Sequence, residues 1–176
     1  MYWYILFVKT GREHRVEKYF KKIAEIDVAK PFIPMHEFLF KFSGTVKREV
    51  RPLFPGYVFI ESVMRGDEFL KKVNNQMRSI SDIVKILKYS DTELEVRESE
   101  KQMLLDLCNT RHCIESSRGI IKGDRIHVLN GPLKGRESMI KKINRHKRQA
   151  LIGMEFMGDQ KLINVALEIV EKKVNE

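Results

Sequence analysis

The chain has 176 residues, of which 43% are hydrophobic and 32% charged, and its 33 Lys and Arg outnumber its 24 Asp and Glu to give a formal net charge of +9. This composition is typical of a folded protein and excludes a disordered, low-complexity chain. The length allows one ordinary domain or two small ones, and the basic excess favours a polyanionic partner such as nucleic acid.

No segment is expected to enter a membrane. The longest apolar run, Tyr2 to Val8, is too short to span a bilayer, and it lacks the basic lead and small-residue cleavage site of a secretory signal. We therefore expect a cytoplasmic protein without a membrane partner. Its two cysteines, Cys108 and Cys113, predict reduced thiols and not a disulfide scaffold.

The amino-terminal part predicts a strand, a helix and a hairpin. Residues 2–8 are continuously apolar, which indicates a central strand covered on both faces. Thr10 to Glu13 has capping-box spacing, and a helix should follow. The alternating residues 37–50, interrupted by Ser43-Gly44, predict a β-hairpin. The helix should bury one apolar face, formed by Val16, Tyr19, Phe20, Ile23 and Ala24.

Three more elements complete this part. A second helix should carry Phe69 and Val73, residues 83–87 should form a strand, and Ser99 with Gln102 should cap a third helix. The prediction is an α/β sandwich of a mixed or antiparallel sheet with three helices. Between about Asn109 and Gly119 the apolar periodicity stops, so we place a boundary there.

The carboxy-terminal part has a different character, with short apolar runs separated by Gly, Asn and basic turns. These runs, at 125–129, 138–143, 150–156 and 162–165, predict a small antiparallel β-barrel. The fold class is therefore α+β. The predicted division is an amino-terminal domain 1–109, a linker 110–118 and a second domain 119–176.

Three stretches resemble the NusG family, in matching order and spacing. They are Trp3-Tyr4, Leu53-Phe54-Pro55-Gly56-Tyr57-Val58-Phe59-Ile60, and Gly123 to Val128 running on to Asn130-Gly131-Pro132-Leu133-Lys134-Gly135. The third is similar to a KOW motif, in which Gly131 and Gly135 can take positive φ and Pro132 fixes the bend. The resemblance implies a transcription elongation factor that consists of the family's amino-terminal domain and a KOW domain.

The resemblance also implies that the amino-terminal domain binds the clamp coiled coil of RNA polymerase through an aromatic hollow and suppresses pausing. The matching positions are Phe54, Tyr57 and Phe59, with Tyr4 in the first strand. Alternation along residues 57–60 means that about half of these side chains fill the core. Phe54 precedes the strand, and we expect it to be exposed as an interface anchor.

The KOW segment departs from general NusG proteins in two ways. Met157 stands before Gly158 where an aromatic residue helps to bind a ribosomal protein or Rho. Seven basic residues and one acid, Glu137, fall within 134–148, which resembles the specialised LoaP group that recognises a leader RNA hairpin and promotes antitermination. The RNA-binding residues would be Lys134, Arg136, Lys141, Lys142, Arg145, His146, Lys147 and Arg148.

Other interpretations stay open. The basic turn could be a solvated surface, the KOW domain could bind protein in a general elongation factor, or the chain could be a ribosome-associated module. Contact with non-template DNA is a further possibility, and we expect a monomer. Some relatives refold the second domain into helices, but the glycines of this segment predict a stable barrel.

No motif in the sequence indicates an enzyme. Cys108, His112 and Cys113 lack the second ligand pair that a zinc site needs. The other histidines have no acid or nucleophile partner, and the loop 131–135 lacks a P-loop ending. We expect no catalytic residues, no metal and no cofactor.

Overall fold

The computed structural model describes residues 1–23 and 28–173, and within them the backbone forms three α-helices and twelve strands. In chain order they are β1 (Tyr2–Val8), α1 (Glu13–Ile23), β2 (Lys30–Phe32), β3 (Met35–Phe42), β4 (Thr45–Pro52), β5 (Tyr57–Ser62), α2 (Gly66–Ser79), β6 (Ile83–Ile86), α3 (Glu98–Leu107), β7 (Cys113–Ile114), β8 (Ser117–Lys122), β9 (Arg125–Asn130), β10 (Ile140–Asn144), β11 (Gln149–Phe156) and β12 (Asp159–Lys173). A one-turn 3-10 helix, Glu137–Met139, precedes β10. None of the described helices is long and apolar enough to cross a membrane.

The chain forms two compact units. The first contains Met1–Pro34 and Phe54–Gln102, and the second contains Met35–Leu53 and the chain from Met103 onward. The hairpin β3–β4 thus belongs to the same unit as the carboxy-terminal strands. The domain limits predicted from the sequence, 1–109 and 119–176, stay a prediction.

The first unit is built on a four-stranded sheet in the order β2-β5-β1-β6, with each neighbouring pair antiparallel. The predicted central strand is confirmed: β1 lies between β5 and β6, and its residues 3–6 are at most 1% exposed. On one side of the sheet the ring of Tyr4 stacks on Phe69 of α2, with 3.8 Å between centroids. Burial of these apolar side chains on both faces stabilises the strand.

The predicted helix α1 is present, but it begins later than predicted and its cap differs. The Glu13 carboxylate accepts hydrogen bonds from the backbone N–H of Gly11 (3.1 Å) and of Gly56 (2.6 Å), and not from Thr10. The reason is that the helix begins at Glu13 itself, two residues later than the capping box at Thr10 requires. Glu13 thereby joins the start of α1 to the turn before β5. Ala24, assigned to this helix from the sequence, lies outside the described residues.

The second unit contains a three-stranded sheet in the order β4-β3-β7. The predicted hairpin is confirmed, and its turn residues Ser43 and Gly44 have φ of 48° and 82°, as the twist of a two-residue hairpin turn requires. The sequence analysis assigned no strand to residues 109–119, and this is wrong, because β7 and the start of β8 lie there. The strand β7 has two residues, which pair with Met35 and His36 and are too few to show periodicity.

The second sheet of this unit has five strands in the order β10-β11-β12-β8-β9. The four runs predicted as strands are present, but β12 is fifteen residues long and pairs in parallel with β8, where only antiparallel pairing was expected. Within the described residues no ladder joins β9 to β10, so the sheet is open and the predicted closed barrel is not confirmed.

Candidate functional site

An aromatic cluster lies in the first unit on the face of β1 and β5 opposite Tyr4. Its members contact one another through ring pairs with centroids 4.9 to 6.2 Å apart. They are Trp3, Phe7, Phe32, Phe54, Tyr57 and Phe59. Such pairs add to the stabilisation that comes from area burial alone. The four residues predicted to contact polymerase are therefore part of, or next to, the core of this unit.

The expectation that Phe54 is exposed is wrong. Its side chain is only 8% exposed and stacks on both Tyr57 and Phe59, because the turn after Pro52 folds the ring back onto the strand it precedes. Phe59 is fully buried. Tyr57 is half-buried, and so is its cross-strand partner Phe7, which the sequence analysis did not select. Phe7 and Tyr57 are thus the accessible members of the cluster.

Tyr4 has a structural role. Its hydroxyl donates to the carbonyl of Met64 and accepts from the N–H of Gly66, both at 2.9 Å, at the start of α2. Burial raises the pKa of Tyr4 to about 12, although the N–H of Gly66 partly opposes this. The phenol therefore stays protonated near neutral pH and fastens α2 to the sheet.

The loop between β10 and β11 carries four consecutive basic residues, 145–148, on a hydrogen-bonded turn. The Asn144 side-chain oxygen accepts from the N–H of Lys147 (3.0 Å), and the N–H of Arg148 donates to the carbonyl of Arg145 (3.2 Å). Arg148 closes the turn at φ 51°. This arrangement leaves Arg145, His146 and Lys147 exposed to solvent.

Most of the predicted RNA-binding cations have no acidic neighbour. Within the described part of the chain, no carboxylate pairs with Lys134, Lys141, Lys142, Arg145, His146 or Lys147. Two others are paired: Arg136 with Asp106 at 3.6 Å and Arg148 with Glu168 at 3.9 Å. We call these six residues without an acidic partner the basic surface.

The one acid within residues 134–148, Glu137, is hydrogen-bonded to the backbone. Its carboxylate accepts from the N–H of Val128 at 3.1 Å. Hydrogen bonds from its own N–H and that of Val128 lower the pKa of Glu137 and keep it ionised. It connects the short helix 137–139 to β9 and forms no ion pair with the basic surface.

A hollow of about 520 Å³ lies beside the basic loop. Its lining residues combine apolar walls, cations and one carboxylate, and are Ile143, Asn144, Arg145, His146, Arg148, Glu168 and Ile169. Guanidinium groups in such a hollow can pair with phosphates or stack on a base. Glu168 also pairs with Arg118 at 3.5 Å. Neither Arg118 nor Glu168 lies in a run of basic residues, so the sequence alone does not predict them as part of this site.

The turn after β9 is structural. Gly131 has φ 93°, and a Cβ there would lie 2.6 Å from both the Cα and the Oγ of Ser117. Ser117 Oγ accepts from the N–H of Leu133 at 3.1 Å. The predicted positive φ at Gly131 and at Gly135, 77°, is confirmed.

The turn between β11 and β12 presents Met157 and Gly158, at φ 54° and 76°. The preceding aromatic, Phe156, is fully buried. It belongs to the core of the second unit and cannot serve as an exposed aromatic contact at this turn.

Both cysteines have free thiols, and burial raises the pKa of Cys108 to about 12, which makes that thiol unreactive near neutral pH.

Comparisons with known proteins agree on one family. The family model described as "Transcription termination factor nusG" matches residues 1–105. The transcription termination/antitermination proteins NusG of Xylella fastidiosa strains Temecula1 and 9a5c are each 20% identical over 183 residues, covering 97% of this chain and 98% of theirs. A solved structure described as "Domain interaction in Thermotoga maritima NusG" has 21% identity and a TM-score of 0.57, covering 96% of this chain and 93% of that one, which shows a shared fold. Because the family model matches well over half of the chain, the protein belongs to the NusG family.

Proposed function

We propose that the protein is a LoaP-type transcription antitermination factor that holds RNA polymerase through its amino-terminal domain, 1–109, and a leader RNA hairpin through its carboxy-terminal domain, 119–176. The segment 110–118 would connect them. Binding both partners at once raises the local concentration of each for its site. The factor would thereby promote read-through of terminators in specific operons.

The observation that carries the RNA half of this proposal is that no carboxylate of residues 1–23 or 28–173 pairs with the basic surface. Cations without carboxylate neighbours are free to neutralise phosphates and release counterions. Arg145, His146 and Lys147 are held on a hydrogen-bonded turn, so little backbone conformational entropy is lost when they bind. Sequence selectivity would come from a loop, bulge or widened groove of the RNA.

The polymerase half of the proposal is supported by the accessible pair Phe7 and Tyr57. Their rings lie edge to face with centroids 6.0 Å apart and rest on the buried part of the aromatic cluster. An aromatic pair set on a rigid base is a typical interface anchor. Phe54 and Phe59 would support this pair from below, while Tyr4, on the other face of the sheet, would hold α2 in place.

A reconstituted transcription assay tests the function as a whole. The template carries a terminator downstream of a candidate leader hairpin, and a matched template has the hairpin replaced by unstructured sequence of equal length. We expect read-through to rise only with the hairpin. Equal read-through on both templates would instead support a general elongation factor, and no effect on pausing or read-through would contradict the proposal.

RNA binding is tested separately with Arg145→Gln/Lys147→Gln. We expect this variant to lose hairpin affinity and to lower the slope of log affinity against log salt by about two. Equally weak binding of the wild type to the hairpin and to unrelated RNA of the same length would favour a domain that binds protein. Co-purification with ribosomes in place of polymerase would favour a ribosome-associated module.

A further inference from the structure

A second hollow adjoins the one beside the basic loop. It has a volume of about 290 Å³ and is lined by Leu39, Val46, Lys47, Arg48, Ser116, Ser117, Arg118 and Glu168. Glu168 lines both hollows, so they meet at this side chain. Their lining residues together cover a region of the second unit that includes the hairpin β3–β4, Arg118 and the basic loop. We call this region the hairpin groove.

The hairpin is fastened to this groove by Glu37, whose side chain is 8% exposed. One carboxylate oxygen accepts from the N–H of Ser116 at 2.6 Å, and the other accepts from Arg48 at 3.0 Å. Arg48 keeps 61% of its side chain exposed, and Arg118 keeps 57%. Two accessible guanidinium groups therefore line the groove.

The groove is strongly basic. Its lining includes five Lys and Arg residues and one acid, Glu168. They are Lys47, Arg48, Arg118, Arg145 and Arg148. Glu168 contacts Arg118 and Arg148, at 3.5 and 3.9 Å, and Arg48 pairs with Glu37 at 3.0 Å, so these two carboxylates offset only part of this charge. The excess of arginine favours a ligand with several phosphates in a row, because each guanidinium can hold one phosphate by two hydrogen bonds.

We propose that the RNA-binding surface extends through this groove, so that Arg118 and Arg48 contact phosphates of the same RNA hairpin that the basic loop binds. The inference rests on the proposed function and adds two contacts to it. The RNA would be recognised by residues of both the hairpin β3–β4 and the five-stranded sheet. RNA affinity would then require this hairpin in addition to residues 119–176.

The test measures binding of the full chain to a leader hairpin over a salt series. Arg48→Gln/Arg118→Gln should weaken binding roughly tenfold and lower the salt slope by about two. Two matched controls each remove one charge outside the groove: Arg51→Gln, on the same strand as Arg48, and Lys122→Gln, on the same strand as Arg118. Both should bind like the wild type.

The outcomes separate this inference from the proposed function. If Arg145→Gln/Lys147→Gln loses affinity while the groove variant binds like the wild type, the inference is overturned and the proposed function stands. If neither variant changes affinity, both are overturned. An equal loss of RNA affinity in the two control variants would also overturn the inference, since the effect would then be one of net charge. Should the double variant unfold, Arg118→Gln alone decides, because that side chain is exposed.

Discussion

The carboxylate of Glu37 accepts a 2.6 Å hydrogen bond from the backbone N–H of Ser116, which is 79 positions further along the chain. Beside this bond, Met35 and His36 pair in parallel with Cys113 and Ile114. A side chain of the hairpin β3–β4 thus holds the segment that leads into β8. The hairpin and the five-stranded sheet should depend on each other for stability through this contact.

Glu37→Ala should lower the free energy of unfolding by about 1–3 kcal/mol, because it removes the acceptor of a partly buried N–H and the partner of Arg48. Hydrogen exchange should quicken at the Ser116 amide in particular. Glu37→Gln keeps one acceptor oxygen, so it should lower the free energy of unfolding by less than Glu37→Ala does. Unchanged exchange at Ser116 in the alanine variant would contradict this prediction.

Alanine substitutions at Tyr57 and Phe59 should distinguish an effect on polymerase binding from an effect on stability. Phe59→Ala empties a fully buried site and should cost about 3–5 kcal/mol of unfolding free energy. Tyr57→Ala removes a half-buried ring, so it should cost less and mainly weaken polymerase binding. Chemical denaturation and a polymerase pull-down measure the two effects. A Tyr57 variant that binds like the wild type would count against this contact.

Gly131 and Gly135 form a matched pair of positions at positive φ. Gly131→Ala should be the more damaging, since its Cβ would lie 2.6 Å from Ser117 Cα, whereas a Cβ at Gly135 meets nothing within 4 Å. At Gly135 only the backbone strain remains, about 1–2 kcal/mol. Thermal melts of both variants make the comparison, and equal losses would show that the close approach to Ser117 is readily relieved.

Glu13 should make stability depend on pH. Burial alone would raise its pKa, but the N–H groups of Glu13 itself, Gly56 and Gly11 outweigh burial and hold the pKa below its ordinary value of 4.5. Because the folded pKa is the lower one, this stabilisation is complete above about pH 4.5 and is lost as the pH falls towards the folded pKa.

The measurement compares the wild type with Glu13→Gln in denaturant titrations between pH 7 and pH 3. The wild type should be the more stable at pH 7, by about 1–3 kcal/mol, and the difference should shrink below pH 4.5. A difference that stays constant over this range would mean that the charge of Glu13 contributes nothing to folding.

Elements whose signals are local were predictable from the sequence. The strand β1 is a run of seven apolar residues, and the hairpin β3–β4 combines alternation with a Ser-Gly turn, so each needs no knowledge of its partner. The strands β2 and β7 have three and two residues and exist through pairing with β5 and β3. Nothing in such short segments distinguishes them from loops.

The candidate site was predictable where charge is concentrated along the chain and not where it is assembled in space. The four basic residues at 145–148 are visible as a run, whereas Arg118 and Glu168 approach the loop only through the pairing of β8 with β12. The burial of Phe54 was missed for a related reason. Alternation does not apply within a turn, so only the fold shows that the ring turns inward.

The strand β12 connects two ladders of opposite direction. Its first half pairs with β11, the strand made just before it, while Leu167 pairs with Ser117, fifty positions earlier. During synthesis β8 can pair with β9 at once, but about fifty further residues must leave the ribosome before its parallel partner β12 is available. The meander β10-β11-β12 can form early, and the parallel ladder that brings Arg118 beside Glu168 forms late, as expected for contacts distant in sequence. We therefore expect the groove with its arginines to be completed late in the folding of this unit.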